Sequence, residues 1–203
     1  MHRVINTYPL ATLVSGLRSA TELSLLPLML DIGPDGTTML TGHMDRNNPQ
    51  VKQLKPGEGV AFVFNGPNAY ASPDLYADTH LPGWLYVTVQ GVGTIGRLIE
   101  GDELIAMLCE ASRRFGEPAQ EFLLGCDDPR FSLLINAIVG FEIEVTEISG
   151  IAKLAQDKGP EHARIACNHL AELTDPNLAD LLDQLKADGE LSFLAWDGSH
   201  IGW

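Results

Sequence analysis

The chain has 203 residues, 45% hydrophobic and 20% charged, the balance of a globular protein long enough to bury a core. Thirteen Lys and Arg against 27 Asp and Glu leave a net charge of −14. No basic run exceeds the pair Arg113-Arg114, which opposes nucleic-acid binding driven by counterion release.

In chain order, ATLVS (11 to 15) is a short apolar strand, and LSLLPLMLDIG (23 to 33) is a second that ends in the turn signal GPDG. TTMLTG (37 to 42) follows at hairpin distance, so residues 23 to 42 read as an antiparallel pair. Pro27 inside this run implies an edge strand or a bulge. HMDRNNPQVKQL (43 to 54) is polar and then helix-like, and VAFVFNG (60 to 66) is another strand. HLPGWLYVTVQGVGTI (80 to 95) is a strand with Trp84, Tyr86, Thr88 and Gln90 on one face and Leu85, Val87 and Val89 on the other. Its GVGTIG (91 to 96) echoes a dinucleotide-binding loop but lacks the strand–turn–helix context.

From Asp102 the period changes. DELIAMLCEASRRF puts Leu104, Ile105, Leu108 and Ala111 at helical spacing, with Asp102 and Glu103 in the first turn. PRFSLLINAIVG (129 to 140) reads as a second helix opened by Pro129, with Asp127-Asp128 as its cap. VGFEIEVTEISGI then alternates as a strand with one solvent face. PEHARIACNHLAEL and DPNLADLLDQLKADG read as closing helices, the latter with Leu178, Leu181, Leu182 and Leu185 on its apolar side. Strands grouped before helices predict an α+β fold, an antiparallel barrel with attached helices. The domain division expected is a barrel over 1–158, carrying a helical insertion at about 102–138, and a helical extension over 159–203 packed on the barrel or on a partner.

No apolar run reaches the roughly 20 residues of a membrane span, and MHRVINTYPLATLV does not read as a signal peptide. Cys109, Cys126 and Cys167, odd in number and without CxxC spacing, imply free thiols in a cytoplasmic protein. His162, Cys167 and His169 are spaced wrongly for shared metal ligation on a helix, so no metal is expected. No Ser/His/Asp grouping or P-loop marks a catalytic residue.

His43, Arg46, Asn47 and Asn48 collect an imidazole, a guanidinium and two amides ahead of a helix-like segment. Such a start can hold an anion through free N–H groups, with Arg adding paired hydrogen bonds; the alternative is a capped, solvated turn with Asp45 beside Arg46. Tyr70, Ser72 and Tyr76 occupy a proline-marked loop that could meet a ring system, a partner, or only its own turn. Trp84 and Tyr86 share a strand face, and Lys153 and Gln156 follow the alternating strand within reach of a ligand.

Together PLATLVS, LPLMLD, LTGHMDRNNPQ, FNGPNAYASPDLY, LPGWLYVTVQGVGTI, IVGFEIEVTEISG and KLAQDK resemble the PaiB-type family of FMN-binding negative transcriptional regulators, over residues 8 to 158. The resemblance implies a flavin-binding split β-barrel related to pyridoxamine-phosphate oxidases, a homodimer, and FMN at the subunit interface. It implies that Thr41 to Asn48 hold the FMN phosphate. With Tyr70, Trp84, Lys153 and Gln156, the candidate flavin contacts are then Thr41, His43, Arg46, Asn47 and Asn48. Any enzyme activity would be that of a flavin-dependent oxidoreductase. The chain departs from the family at Leu25 in SLLPL, at Gly83 and Leu85 in PGWLY, and at Ala155, Asp157 and Lys158 in KLAQDK. Those departures favour an alternative, a ligand-sensing or structural module that no longer binds flavin tightly. Direct transcriptional repression, implied only by the family's name, is opposed by the charge.

Overall fold

The computed structural model describes residues 1–17, 20–76, 81–116 and 124–174. Its elements are α1 (His2–Thr7), β1 (Leu10–Ser15), β2 (Glu22–Ile32), β3 (Thr38–Asp45), β4 (Gly59–Ala71), β5 (Gly83–Ile99), α2 (Gly101–Phe115), α3 (Phe131–Leu134), β6 (Ile138–Lys153) and α4 (Pro160–Thr174). The fold is α+β. Six antiparallel strands close a barrel in the order β1-β2-β3-β6-β5-β4. The expected strands are all present, and all but β2 are longer than the run that predicts them.

The β2–β3 hairpin forms as its turn chemistry dictates. Gly33 N–H donates to the Thr37 carbonyl at 2.8 Å, Asp35 Oδ1 accepts from Thr37 N–H at 3.0 Å, and Gly36 takes φ +85°. That backbone hydrogen bond holds the Asp35 carboxyl below its ordinary value. Pro27 lies where β2 changes partner. It is opposite Leu10 of β1, and pairing with β3 begins one residue later, at Leu28 opposite Gly42. The proline therefore interrupts no two-sided ladder, and β2 is not an edge strand.

By contact the described chain divides into two compact units. One holds Pro9–Val63 and Gly91–Ile148; the other holds Met1–Tyr8, Phe64–Gln90 and the described chain from Ser149. In the first, Leu13, Leu28, Leu40, Phe62, Phe141 and Ile143 are fully buried on inward strand positions. Each such side chain contributes about 1.5–3 kcal/mol relative to exposure. Gly91 on β5 sits where a Cβ would collide with the Glu147 carbonyl and the Phe62 ring, so this glycine serves close strand packing. In the second unit, Ile5, Phe64, Val87, Leu154 and Leu170 are buried.

α2 forms as expected, with Asp102 and Glu103 in its first turn and Arg113 and Arg114 in its last, both complementing the helix dipole. Its buried side chains Leu104, Met107, Leu108, Cys109 and Ala111 form a cluster with Met29, Ile99 and Phe131. Arg114 ties the helix end to β2, reaching Asp31 at 2.6 Å and the Leu30 carbonyl at 3.1 Å.

Three expectations need correction. The helix over 129–140 shrinks to α3 and a 3₁₀ turn at Ile135–Ala137, because β-branched Ile138 and Val139 continue into β6. The polar segment after β3 ends in a five-residue 3₁₀ turn, Pro49–Gln53. Cys109 and Cys126 are not free thiols; they form a disulfide with Cα atoms 5.9 Å apart. Cys167 is not disulfide-bonded. α1 has no expected counterpart, and the helix read over 175–189 lies outside the described residues.

Candidate functional site

The segment Thr41 to Asn48 runs off the end of β3, where alternation turns Leu40, Gly42 and Met44 inward and leaves Thr41, His43 and Asp45 on the other face. Past the strand, its polar groups find protein partners. Arg46 N–H donates to the Ala137 carbonyl at 2.8 Å, Nε to the Asn136 carbonyl at 3.1 Å, and Nη2 to the Ile138 carbonyl at 3.0 Å. Nη2 also pairs with Glu100 at 2.7 Å. Asp45 Oδ1 accepts from Asn47 N–H at 2.7 Å. The Asn48 carboxamide accepts from Gln50 N–H at 2.9 Å and donates to Ser24 Oγ at 2.9 Å, so it caps the 3₁₀ turn.

Gln50, fully buried, is the residue of this motif that sequence reasoning overlooked. Its Nε2 donates to the Leu13 carbonyl at 3.1 Å and to the Glu22 carbonyl at 3.2 Å, bridging β1 and β2. The NPQ triplet is thus a brace for the β1–β2 hairpin. The arginine stitches the end of β3 to the start of β6.

His43 is among the residues that line a cavity of about 390 Å³. α2 supplies Leu108, Ala111, Ser112 and Phe115 to its wall, and the chain beyond supplies Leu124, Arg130, Phe131, Leu134 and Ile138. Burial holds the His43 imidazole below its ordinary value of 6.5, so the ring is neutral at pH 7. Arg130 forks onto Asp128 at 2.8 and 2.6 Å, which depresses the Asp128 carboxyl to about 2.

The other unit brings two expected ring-binding residues together. Tyr70 on β4 and Trp84 on β5 are each 51% exposed, with ring centroids 6.2 Å apart in an edge-to-face arrangement. Trp84 Nε1 donates to Asn68 Oδ1 at 3.2 Å, a partner that the two-residue strand period pairs with Tyr70. His169 Nε2 lies 3.0 Å from the Tyr70 carbonyl, which fixes that nitrogen as the protonated one. Lys153 is exposed at the end of β6. The Gln156 carboxamide closes its own turn, accepting from Leu154 N–H at 2.6 Å and donating to the Ala152 carbonyl. Of the departures from the resembling family, Leu25 is 64% exposed, whereas Leu85 is 4% exposed and faces the core. Leu85 therefore cannot mark a lost polar contact on the Trp84 face.

Residues 1–147 match the family model described as "Putative FMN-binding domain". The chain belongs to this family. The protease synthase and sporulation protein PAI 2 of Bacillus subtilis is 30% identical over 154 residues, covering 72% of this chain and 73% of that protein. The uncharacterized protein AN0679 of Emericella nidulans is 23% identical over 201 residues, covering 78% and 80%. Among solved structures, a FAD- and heme-binding protein from Mycobacterium smegmatis shares the fold at 16% identity and a TM-score of 0.52, over 75% of this chain and 69% of that one.

A flavin asks this FMN-binding-family chain for an aromatic surface and a phosphate anchor. Tyr70 and Trp84 supply exposed aromatic surface. Arg46 fits a phosphate less freely, because Glu100 already occupies Nη2. Among the described residues no helix is long and apolar enough to cross a membrane.

Proposed function

We propose that this protein binds FMN, as a homodimer with a regulatory or redox-related role. Membership of the FMN-binding family across residues 1–147 carries the reading. Thr41, His43, Arg46, Asn47 and Asn48 are the proposed phosphate contacts, and Tyr70, Trp84, Lys153 and Gln156 are the other proposed flavin contacts. The flavin supplies any electron-transfer chemistry, while the protein's groups bind and orient it. A relative named a protease synthase and sporulation protein supports the regulatory role. Support for the dimer comes from the outer face of β1 and β2, where Leu10, Leu23 and Leu25 are each at least half exposed.

A second reading, a family member with weakened flavin affinity, is favoured by one observation: the Arg46 guanidinium is already engaged by two carbonyls and a carboxylate. Both readings meet the same experiment. Arg46→Ala is expected to weaken FMN binding by about 1.5–3 kcal/mol, the typical contribution of a charged hydrogen bond, and to leave riboflavin binding unchanged. Equal losses for both ligands would make Arg46 a brace only, and no loss for either would move the phosphate site elsewhere.

A further inference from the structure

The Cys109–Cys126 disulfide joins residues in unlike surroundings. Cys109 is 2% exposed, in the middle of α2, whereas Cys126 is exposed on the chain that follows. Gly125, Asp127, Pro129 and Arg130 around it are exposed too, so little buried surface holds this stretch to the helix. Leu124 N–H donates to Ser112 Oγ at 3.3 Å, a long contact, and the covalent bond is the firmer anchor.

From Cys126 the chain reaches the Arg46 motif with little slack. Asp128 N–H donates to the Gly125 carbonyl, Phe131 N–H to the Asp128 carbonyl and Leu134 N–H to the Arg130 carbonyl, each at 3.1 Å. Phe131 is buried in the cluster that holds Cys109, and Ile135 and Ile138 pack against that cluster. The carbonyls that follow, of Asn136, Ala137 and Ile138, are the ones that accept from Arg46. One short run, 126–138, is therefore bonded to α2 at one end and to Arg46 at the other.

Exposed disulfides exchange with thiols, whereas structural ones resist reduction. Left as a neutral thiol, Cys109 is a small apolar side chain that suits its cluster, so opening the bond strands no charge in the core.

We propose that the Cys109–Cys126 bond is a reversible thiol switch on the Arg46 motif. Closed, it holds 126–138 in the arrangement that braces Arg46; opened by a dithiol, it loosens that brace and lowers affinity for a flavin phosphate. The effect on flavin rests on the reading that Arg46 holds the phosphate. In the opening step a thiolate of the dithiol bonds to the sulfur of Cys126, the Cys109–Cys126 bond breaks, and Cys109 leaves as a thiolate that takes up a proton. The second thiol of the reductant then displaces Cys126 and closes the reductant's own disulfide, so two electrons and two protons pass to the protein.

Dithiothreitol is the probe reductant, applied to the oxidised full chain without denaturant and removed under nitrogen. Alkylation read by mass spectrometry is expected to find both cysteines reduced in a chain that circular dichroism shows to be folded. Amide hydrogen exchange in peptides spanning 42–48 and 126–138 is then expected to accelerate at least about fivefold, with β4 unchanged, and to recover on reoxidation. FMN binding is expected to weaken at least about fivefold on reduction, while riboflavin binding holds. Cys126→Ser is expected to behave as the reduced parent and to ignore the reductant; Cys109→Ala replaces it if that variant does not fold. A bond that resists dithiothreitol until urea unfolds the chain would overturn the switch, as would exchange that is unaltered or that accelerates equally in β4. Altered exchange with unaltered FMN affinity would overturn the link to the phosphate. If neither form binds FMN, the flavin reading fails and the exchange result alone decides the switch.

Discussion

Trp84 and Leu85 are chain neighbours with opposite environments, 51% and 4% exposed. The strand's two-residue period decides this, and it also decides what substitution there does. Leu85→Asn would bury an amide against the barrel core and remove a packed side chain, at a cost of about 3–5 kcal/mol. Urea unfolding should register this as a large drop in midpoint; an unchanged midpoint would mean that Leu85 does not face the core. The alternation of this strand was legible in its residues. Which loss mattered was not, because a comparison of motif letters carries no information about side-chain direction. His43 makes a second prediction at this scale. Burial lowers its folded pKa below 6.5, so below that value the unfolded chain takes up a proton that the folded chain resists. Stability from this group is therefore complete above the unfolded value and declines as the pH falls below it. His43→Leu should flatten the stability profile between about pH 7 and 5, where an unfolded imidazole titrates. A profile identical to that of the parent chain would contradict the buried, neutral imidazole.

At the scale of elements, strands, hairpin and α2 followed from apolar period, turn residues and dipole-complementing charges, all of them local. The failures were set by tertiary context. α3 stops after Leu134 because the chain beyond it joins the barrel as β6. The 43–54 segment reads as an anion-collecting helix start, but its partners lie far along the chain: Asn136 and Ile138 for Arg46, Leu13 and Glu22 for Gln50. Sequence spacing could not reveal those partners. Nor could it pair Cys109 with Cys126, since a helix and a loop bring their Cα atoms to 5.9 Å only after folding. With 17 residues of separation, the cross-link removes enough unfolded-state entropy to stabilise by about 3 kcal/mol. Cys126→Ser should lower the unfolding midpoint accordingly, and a reductant should lower the parent's midpoint but not the variant's. Equal reductant sensitivity in both would show that this bond is not the one being broken.

For the whole molecule, composition bounded the possibilities more firmly than it identified one. A charge of −14 opposes direct nucleic-acid binding. The barrel topology positions two sets of candidate groups, one in each compact unit: the braced motif around Arg46, and the exposed Tyr70–Trp84 pair. Ligand occupancy is the property that joins them to a function. The deciding measurement is a titration of the purified, flavin-stripped full chain with FMN, followed by flavin absorbance and by quenching of its emission. Saturable binding approaching one FMN per chain, weakened by Trp84→Ala as well as by Arg46→Ala, is the predicted result. A chain that stays colourless through the titration and leaves FMN emission unchanged would contradict it.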